Sequence, residues 1–152
     1  MRTFLGIPAT EEIRKRAESP IEKIKIDGVN IVRPENLHFT VRFFGETDNS
    51  QLKEIEKKID DLEIKSFKIR VGGVGVFPNE SYMKVLWLGV TQGNKKFTET
   101  LEKINNLFGG SKRKPVPHMT LARVKFVKDR KELLEKINEI KKIDLGMMKM
   151  DQ

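Results

Sequence analysis

The 152-residue chain has no cysteine, which removes disulfide bridges, thiolate metal sites and cysteine nucleophiles at one stroke. Long apolar runs are missing as well. Nothing approaches the roughly 18 consecutive apolar residues of a spanning helix, and the opening MRTFLGIPATEEI is too short an apolar stretch for a secretory leader. A cytoplasmic protein without a membrane partner is the expectation. Histidine is nearly absent: the two that occur, His38 and His118, sit in the same frame, His-apolar-Thr-apolar. Two histidines without a convergent carboxylate or thiolate make a poor zinc site, so neither a metal nor a cofactor is expected.

What the chain does have is charge of both signs, 34 % Asp, Glu, Lys and Arg, with a net +8 and a pI near 9.7. An anionic partner fits that balance. So does a densely charged surface of the kind found on hyperthermophile proteins. The length suits one domain over residues 1–152, able to bury roughly two-thirds of its surface without a staple, and a monomer is expected.

The chain repeats itself once. RTFLGI (2–7) and VLWLGV (85–90) read as strands, each followed by a helix: one after a Thr10 cap, the other after Gly93-Asn94 and closed by Gly109-Gly110. A histidine strand comes next in each half. Then follows a capped helix, opened by Asp48-x-x-Gln51 with Leu52, Ile55, Ile59 and Leu62 inward, or by Asp129-x-x-Glu132 with Leu133, Ile137 and Ile140 inward. The offset from His38 to His118 is 80 residues and from Asp48 to Asp129 it is 81. The first half adds a strand, SFKIRVGGVGVF, whose Gly72-Gly73-Val74-Gly75 run reads as a bend or bulge; GVFPNESYMK is the junction. The expected fold is α+β: two pseudo-symmetric β-α-β-α-β lobes, about 1–78 and 80–152, with mainly antiparallel sheets forming a central groove and helices outside. Symmetry leaves room for only the start of the second lobe's last strand, so most of that strand is expected to be absent.

Alternation along a strand places Leu37, Phe39, Val41 and Phe43 inward and His38, Thr40 and Arg42 outward; Met119 and Leu121 face inward, His118 and Thr120 outward. Each strand then delivers an imidazole beside a hydroxyl, about 7 Å apart. Packed about a pseudo-two-fold axis, the two pairs line opposite walls of one groove. Such a site suits displacement at phosphorus. One neutral imidazole takes a proton from the attacking oxygen, the other, charged, protonates the leaving oxygen, and the threonines hold the phosphoryl oxygens.

The strings MRTFLGIP, ENLHFTVRFFGE, GVGVFPN with VLWLGV, and VPHMTLARVK resemble those of the RNA 2′,3′-cyclic phosphodiesterases, also called 2′-5′ RNA ligases, within the two-histidine phosphoesterases. The resemblance runs from residue 1 to about 126. It implies a metal-independent enzyme that opens a terminal 2′,3′-cyclic phosphate to a 2′-phosphate, with reversible 2′-5′ ligation in some members and tRNA halves among the possible substrates. It also implies His38 as proton donor to O3′, His118 as the base for water, Thr40 and Thr120 on the phosphate, and Arg123 in phosphate contact. Strict alternation puts Arg123 on the wrong face, so that role requires a bulge or strong twist after Leu121. Further substrate-binding candidates are Arg42, on the groove face by alternation; Phe77, as a stacking ring; and the basic run Lys112, Arg113, Lys114, along an RNA backbone. Two alternatives stand beside hydrolysis: ligation as the main task, or a basic RNA-binding module without turnover. The module is disfavoured, because aromatics are only 7 % of the chain and read mostly as core positions.

Overall fold

A computed structural model describes residues 2–110 and 114–150. In chain order the strands are β1 (Arg2–Pro8), β2 (Val29–Ile31), β3 (His38–Glu46), β4 (Phe67–Asn79), β5 (Tyr82–Gln92), β6 (Met119–Val124) and β7 (Asp144–Met150). The helices are α1 (Glu11–Lys23), α2 (Asn49–Asp60), α3 (Asn94–Asn106) and α4 (Arg130–Ile140). All the strand pairings are antiparallel, in the order β1-β3-β6-β5-β4-β7, with β2 added beside β6.

The helices start where their caps stand. Thr10 Oγ1 accepts from the Ile13 N–H, Asp48 and Gln51 form a full capping box, and Asp129 accepts from the Glu132 N–H. Gly110, at a positive φ, returns its N–H to Asn105 O just past α3. The apolar stripes of α1, α3 and α4 (Ile13, Ala17, Ile21; Phe97, Leu101, Ile104; Leu133, Ile137, Ile140) join Phe39, Ile69, Leu86, Leu88, Met119 and Leu121 of the strands in one buried cluster. Helix α2 is looser. Its stripe of Leu52, Ile55 and Ile59 is only half-buried, so it lies at the margin of the core.

Two features depart from a simple repeat of lobes. Strand β4 closes the first sequence repeat, yet it is hydrogen-bonded to β5 and β7 of the second. And the place where little of a last strand was expected holds a seven-residue strand: β7 runs from Phe67 opposite Met150 to Gly72 opposite Asp144. Arg70 and Asp144 bridge the two strands at 2.9 Å. The Gly72–Gly75 run is a register shift, with Gly73 at φ 72°. The GVFPNESYMK junction is the β4–β5 hairpin, where Asn79 Oδ1 accepts from the Ser81 and Tyr82 N–H groups.

The halves meet at a short seam. Strands β3 and β6 share one registered pair, Phe39 opposite Met119. Beyond it the edge of β6 passes to β2, with Ile31 opposite Ala122 and the Val32 N–H on Leu121 O at 2.7 Å. The two histidine strands therefore touch at one point and part on either side of it.

Candidate active site

Phe39 and Met119 are both fully buried, so their chain neighbours His38, Thr40, His118 and Thr120 belong to the opposite face of the sheet, and all four are half-buried. An antiparallel step to either side of the Phe39–Met119 pair aligns His38 with Thr120 and Thr40 with His118. The seam thus brings both histidine–threonine pairs to one face of the sheet, beside the Phe39–Met119 pair.

Both rings are held the same way. His38 Nδ1 lies 2.7 Å from Asn36 O, and His118 Nδ1 lies 2.7 Å from Val116 O. A carbonyl oxygen only accepts, so each Nδ1 carries the hydrogen and donates it. Nε2 is then the basic nitrogen of either neutral ring and the donor of either charged one. In both copies the accepting carbonyl is two residues upstream, so the repeat copies the ring orientation as well as the ring.

A second shared device changes what the strands display. In β3 the register runs Gly6 opposite Thr40 and then Leu5 opposite Arg42, so Val41 is an extra residue; Phe4 then faces Phe43. In β6, Trp87 opposes Thr120 and Leu86 opposes Ala122, so Leu121 is extra; Val85 then faces Arg123. Directly opposed residues share a face. Each motif therefore carries a one-residue bulge directly after its threonine, and the freed carbonyls are satisfied: Val41 O by Asn105 Nδ2 at 3.3 Å, Leu121 O by the Val32 N–H.

These bulges overturn the alternation at three positions. Arg42 turns with Leu5 to the helix side, where its guanidinium donates to Asn105 Oδ1, Gly110 O and Phe108 O at 3.1, 2.7 and 2.9 Å. It clamps the end of α3, so its expected place on the substrate face does not hold. Phe43, expected in the core, is 70 % exposed on the histidine face. Arg123 meets the bulge condition stated for it: it is exposed and shares the face of Thr120 and Trp87.

Aromatic rings flank both histidines. Phe77 stands edge-on to His118 at 5.1 Å and stacks on Trp87 at 4.9 Å and 30°, with Trp87 6.0 Å from the same imidazole. On the other side Phe4 lies 5.1 Å from His38 and 5.9 Å from Phe43. Glycines make the room: a Cβ on Gly6 would sit 2.9 Å from the Phe4 ring and 3.2 Å from the His38 ring, and one on Gly75 would collide with the Trp87 indole. Phe4, Phe43 and Trp87 were missed in the sequence. The signal was there, because Phe4 and Trp87 hold matching places in RTFLGI and VLWLGV, each two residues before a glycine.

Lys114 is exposed on the segment leading to His118, while Lys112 and Arg113 lie outside the described residues. Among the described residues no group of three or more His, Asp or Glu stands close enough to hold a metal ion. No helix among them is long and apolar enough to cross a membrane. Asp144, on β7 away from the seam, is an acid held below the usual range: the Gly146 N–H lowers its carboxyl, burial opposes this, and Arg70 adds to the lowering.

Comparison with known proteins bears on family and fold. A family model described as LigT-like phosphoesterase matches residues 7–87. A Methanocaldococcus jannaschii protein named RNA 2′,3′-cyclic phosphodiesterase is 40 % identical over 148 residues, covering 96 % of this chain and 84 % of its own length. One of the same name from Methanothermobacter thermautotrophicus is 33 % identical over 160 residues, covering 100 % and 86 %. Among solved structures, TT0787 of Thermus thermophilus superposes with a TM-score of 0.75 at 24 % identity, over 99 % of this chain and 85 % of that one. The structure of E. coli LigT complexed with NADP+ superposes with a TM-score of 0.68 at 24 % identity, over 80 % and 71 %. At that identity the likeness establishes the fold.

Proposed function

The chain belongs to the LigT-like phosphoesterase family, and from that premise we propose that it hydrolyses terminal 2′,3′-cyclic phosphates on RNA to 2′-phosphates by paired imidazole acid-base catalysis. The observation that carries this reading is the doubled site: two histidines with the same Nδ1 anchor, each two residues before a threonine on its own strand, where the two histidine strands meet. The names of the curated relatives support the substrate.

The chemistry balances within these groups. A water oxygen attacks phosphorus in line with the P–O3′ bond, and Nε2 of neutral His118 takes its proton. As P–O3′ breaks, Nε2–H of charged His38 gives O3′ a proton, leaving a 3′-hydroxyl and a 2′-phosphate. The assignment of donor and acceptor follows the family resemblance, since the anchors are alike. Thr40 and Thr120 hydroxyls and the Arg123 guanidinium stabilise charge on the non-bridging oxygens. None of these steps calls for a metal. A 5′-hydroxyl in the place of water gives a 2′-5′ linkage with the same proton movements, so joining is the sister reaction of this site and tRNA halves are one substrate pair to offer it.

The test is incubation of an RNA ending in 2′,3′-cyclic phosphate, with the product read by phosphorus NMR. A 2′-phosphate is expected. An untouched cyclic end, or a 3′-phosphate, overturns the proposal.

A further inference from the structure

Away from the seam, the end of β6 and the β4–β5 hairpin border a groove of about 310 Å³, with Tyr82, Lys84, Lys125, Phe126, Val127 and Arg130 along its walls. Exposed apolar side chains scattered singly are ordinary. Here three stand around one groove: Tyr82 is 59 %, Phe126 53 % and Val127 39 % exposed. Both rings are held in place. Lys84 Nζ lies over the Tyr82 ring, 5.1 Å from its centroid. Phe126 rests on Gly28, where a Cβ would come within 2.9 Å of the ring.

The charge around these rings is of one sign. Lys84, Lys125 and Arg130 are exposed, and among the described residues no carboxylate stands within salt-bridge distance of any of them. Two acids close by in sequence are engaged elsewhere: Glu80 with Lys141 at 3.4 Å, and Asp129 as the cap of α4. Unpaired cations interleaved with exposed rings suit a single-stranded nucleic acid, whose phosphates and base faces need both. The groove also lies along the strand that carries the second motif. Beyond Thr120, β6 shows Arg123 on the same face, and the groove begins at Val124, about 14 Å from Thr120 at roughly 3.4 Å per residue.

We propose that this groove binds the single-stranded RNA upstream of the cyclic end. The proposal rests on the phosphodiesterase reading and defines its substrate: an RNA tail long enough to run from the seam past Arg123 to the groove. Its bases stack on Tyr82 and Phe126, and its phosphates meet Lys84, Lys125 and Arg130. A ring face carries no donor–acceptor code, so the sequence of the tail is immaterial. Its length is not, because a dinucleotide reaches the histidines and stops short of the groove.

The experiment compares kcat/KM on a decamer and a dinucleotide, both single-stranded and both ending in 2′,3′-cyclic phosphate. The decamer is expected to be favoured roughly 5- to 150-fold, the range that one stacked base supplies. In Tyr82→Ala and Phe126→Ala that preference should fall through a raised KM for the decamer, with dinucleotide kinetics unchanged. Replacing the cations together (Lys84→Gln, Lys125→Gln and Arg130→Gln) should flatten the slope of log Kd against log salt for the product decamer by about 2, at roughly 0.7 per cation. A preference near one in the unaltered protein, or a preference and a salt slope that the variants leave alone, overturns the proposal while the cyclic phosphodiesterase reading stands. So does a Tyr82→Ala protein that slows on both RNAs alike. No turnover of either RNA by the unaltered protein removes that reading and takes the groove with it.

Discussion

Strands β3 and β6 carry the same motif with the same two devices, an Nδ1 anchor to the carbonyl two residues upstream and a bulge after the threonine. They differ in what the bulge brings to the surface. Five residues after its histidine, β3 shows Phe43 and β6 shows Arg123. The neighbouring strand repeats the contrast: Phe4 is open beside His38, while Trp87 is closed under Phe77 beside His118. The constant part is what acid-base work requires, two imidazoles with fixed tautomers and adjacent hydroxyls. The variable part gives one wall exposed phenylalanine rings and the other an exposed arginine.

The comparison breaks most completely at its constant part. His38→Ala and His118→Ala should each lower turnover by about 10²- to 10⁴-fold with RNA binding little changed, because either loss leaves one proton unmoved. Single-turnover rates set beside a filter-binding isotherm decide it; full activity in either variant defeats the paired scheme. The unaltered protein should show a bell-shaped pH profile, since one ring must be neutral and the other charged.

The variable part is sharpened by two arginines that alternation would have exchanged. Arg123→Ala should cost kcat/KM roughly 10- to 100-fold, the scale of a lost charge-assisted contact, at unchanged melting temperature. Arg42→Ala should do the reverse in kind. It strips three acceptors at the end of α3 of their donor, and a loss of about 2–3 kcal/mol should lower the melting temperature by several degrees. Equal effects of the two on stability would erase the distinction between clamp and phosphate ligand.

The smallest effect is expected far from the seam, on β7. The folded-state carboxyl of Asp144 is held low, so the unfolded chain binds the extra proton first as pH falls. The contribution is present above the ordinary Asp range near 4 and is lost as pH drops through the folded value. The melting-temperature difference between the unaltered protein and Asp144→Asn should therefore shrink in acid, as a calorimetric pH series would reveal.

Much of this was readable in the chain itself. Caps at Thr10, Asp48 and Asp129 are local chemistry, and the stripe Leu133, Ile137 and Ile140 announces its buried face by period. The paired histidines stood out because the residue is otherwise unused. What stayed hidden was non-local. Nothing in the composition of SFKIRVGGVGVF says that its hydrogen bonds go to β5 and β7. The β3 bulge escaped because a period-two reading assumes an unbroken ladder, and one extra residue inverts every assignment after it. Arg42, Phe43 and Arg123 are the residues past that point. The conflict over Arg123 was the clue, and applying the same slip to the first copy would have moved Phe43 and Arg42 together.

An extra residue in each histidine strand has an engineering consequence. Positions 43 and 123 both follow the extra residue, so their side chains reach the histidine face of the sheet instead of its buried face. Exchanging phenylalanine and arginine between them would carry an exposed ring to one wall and an exposed charge to the other.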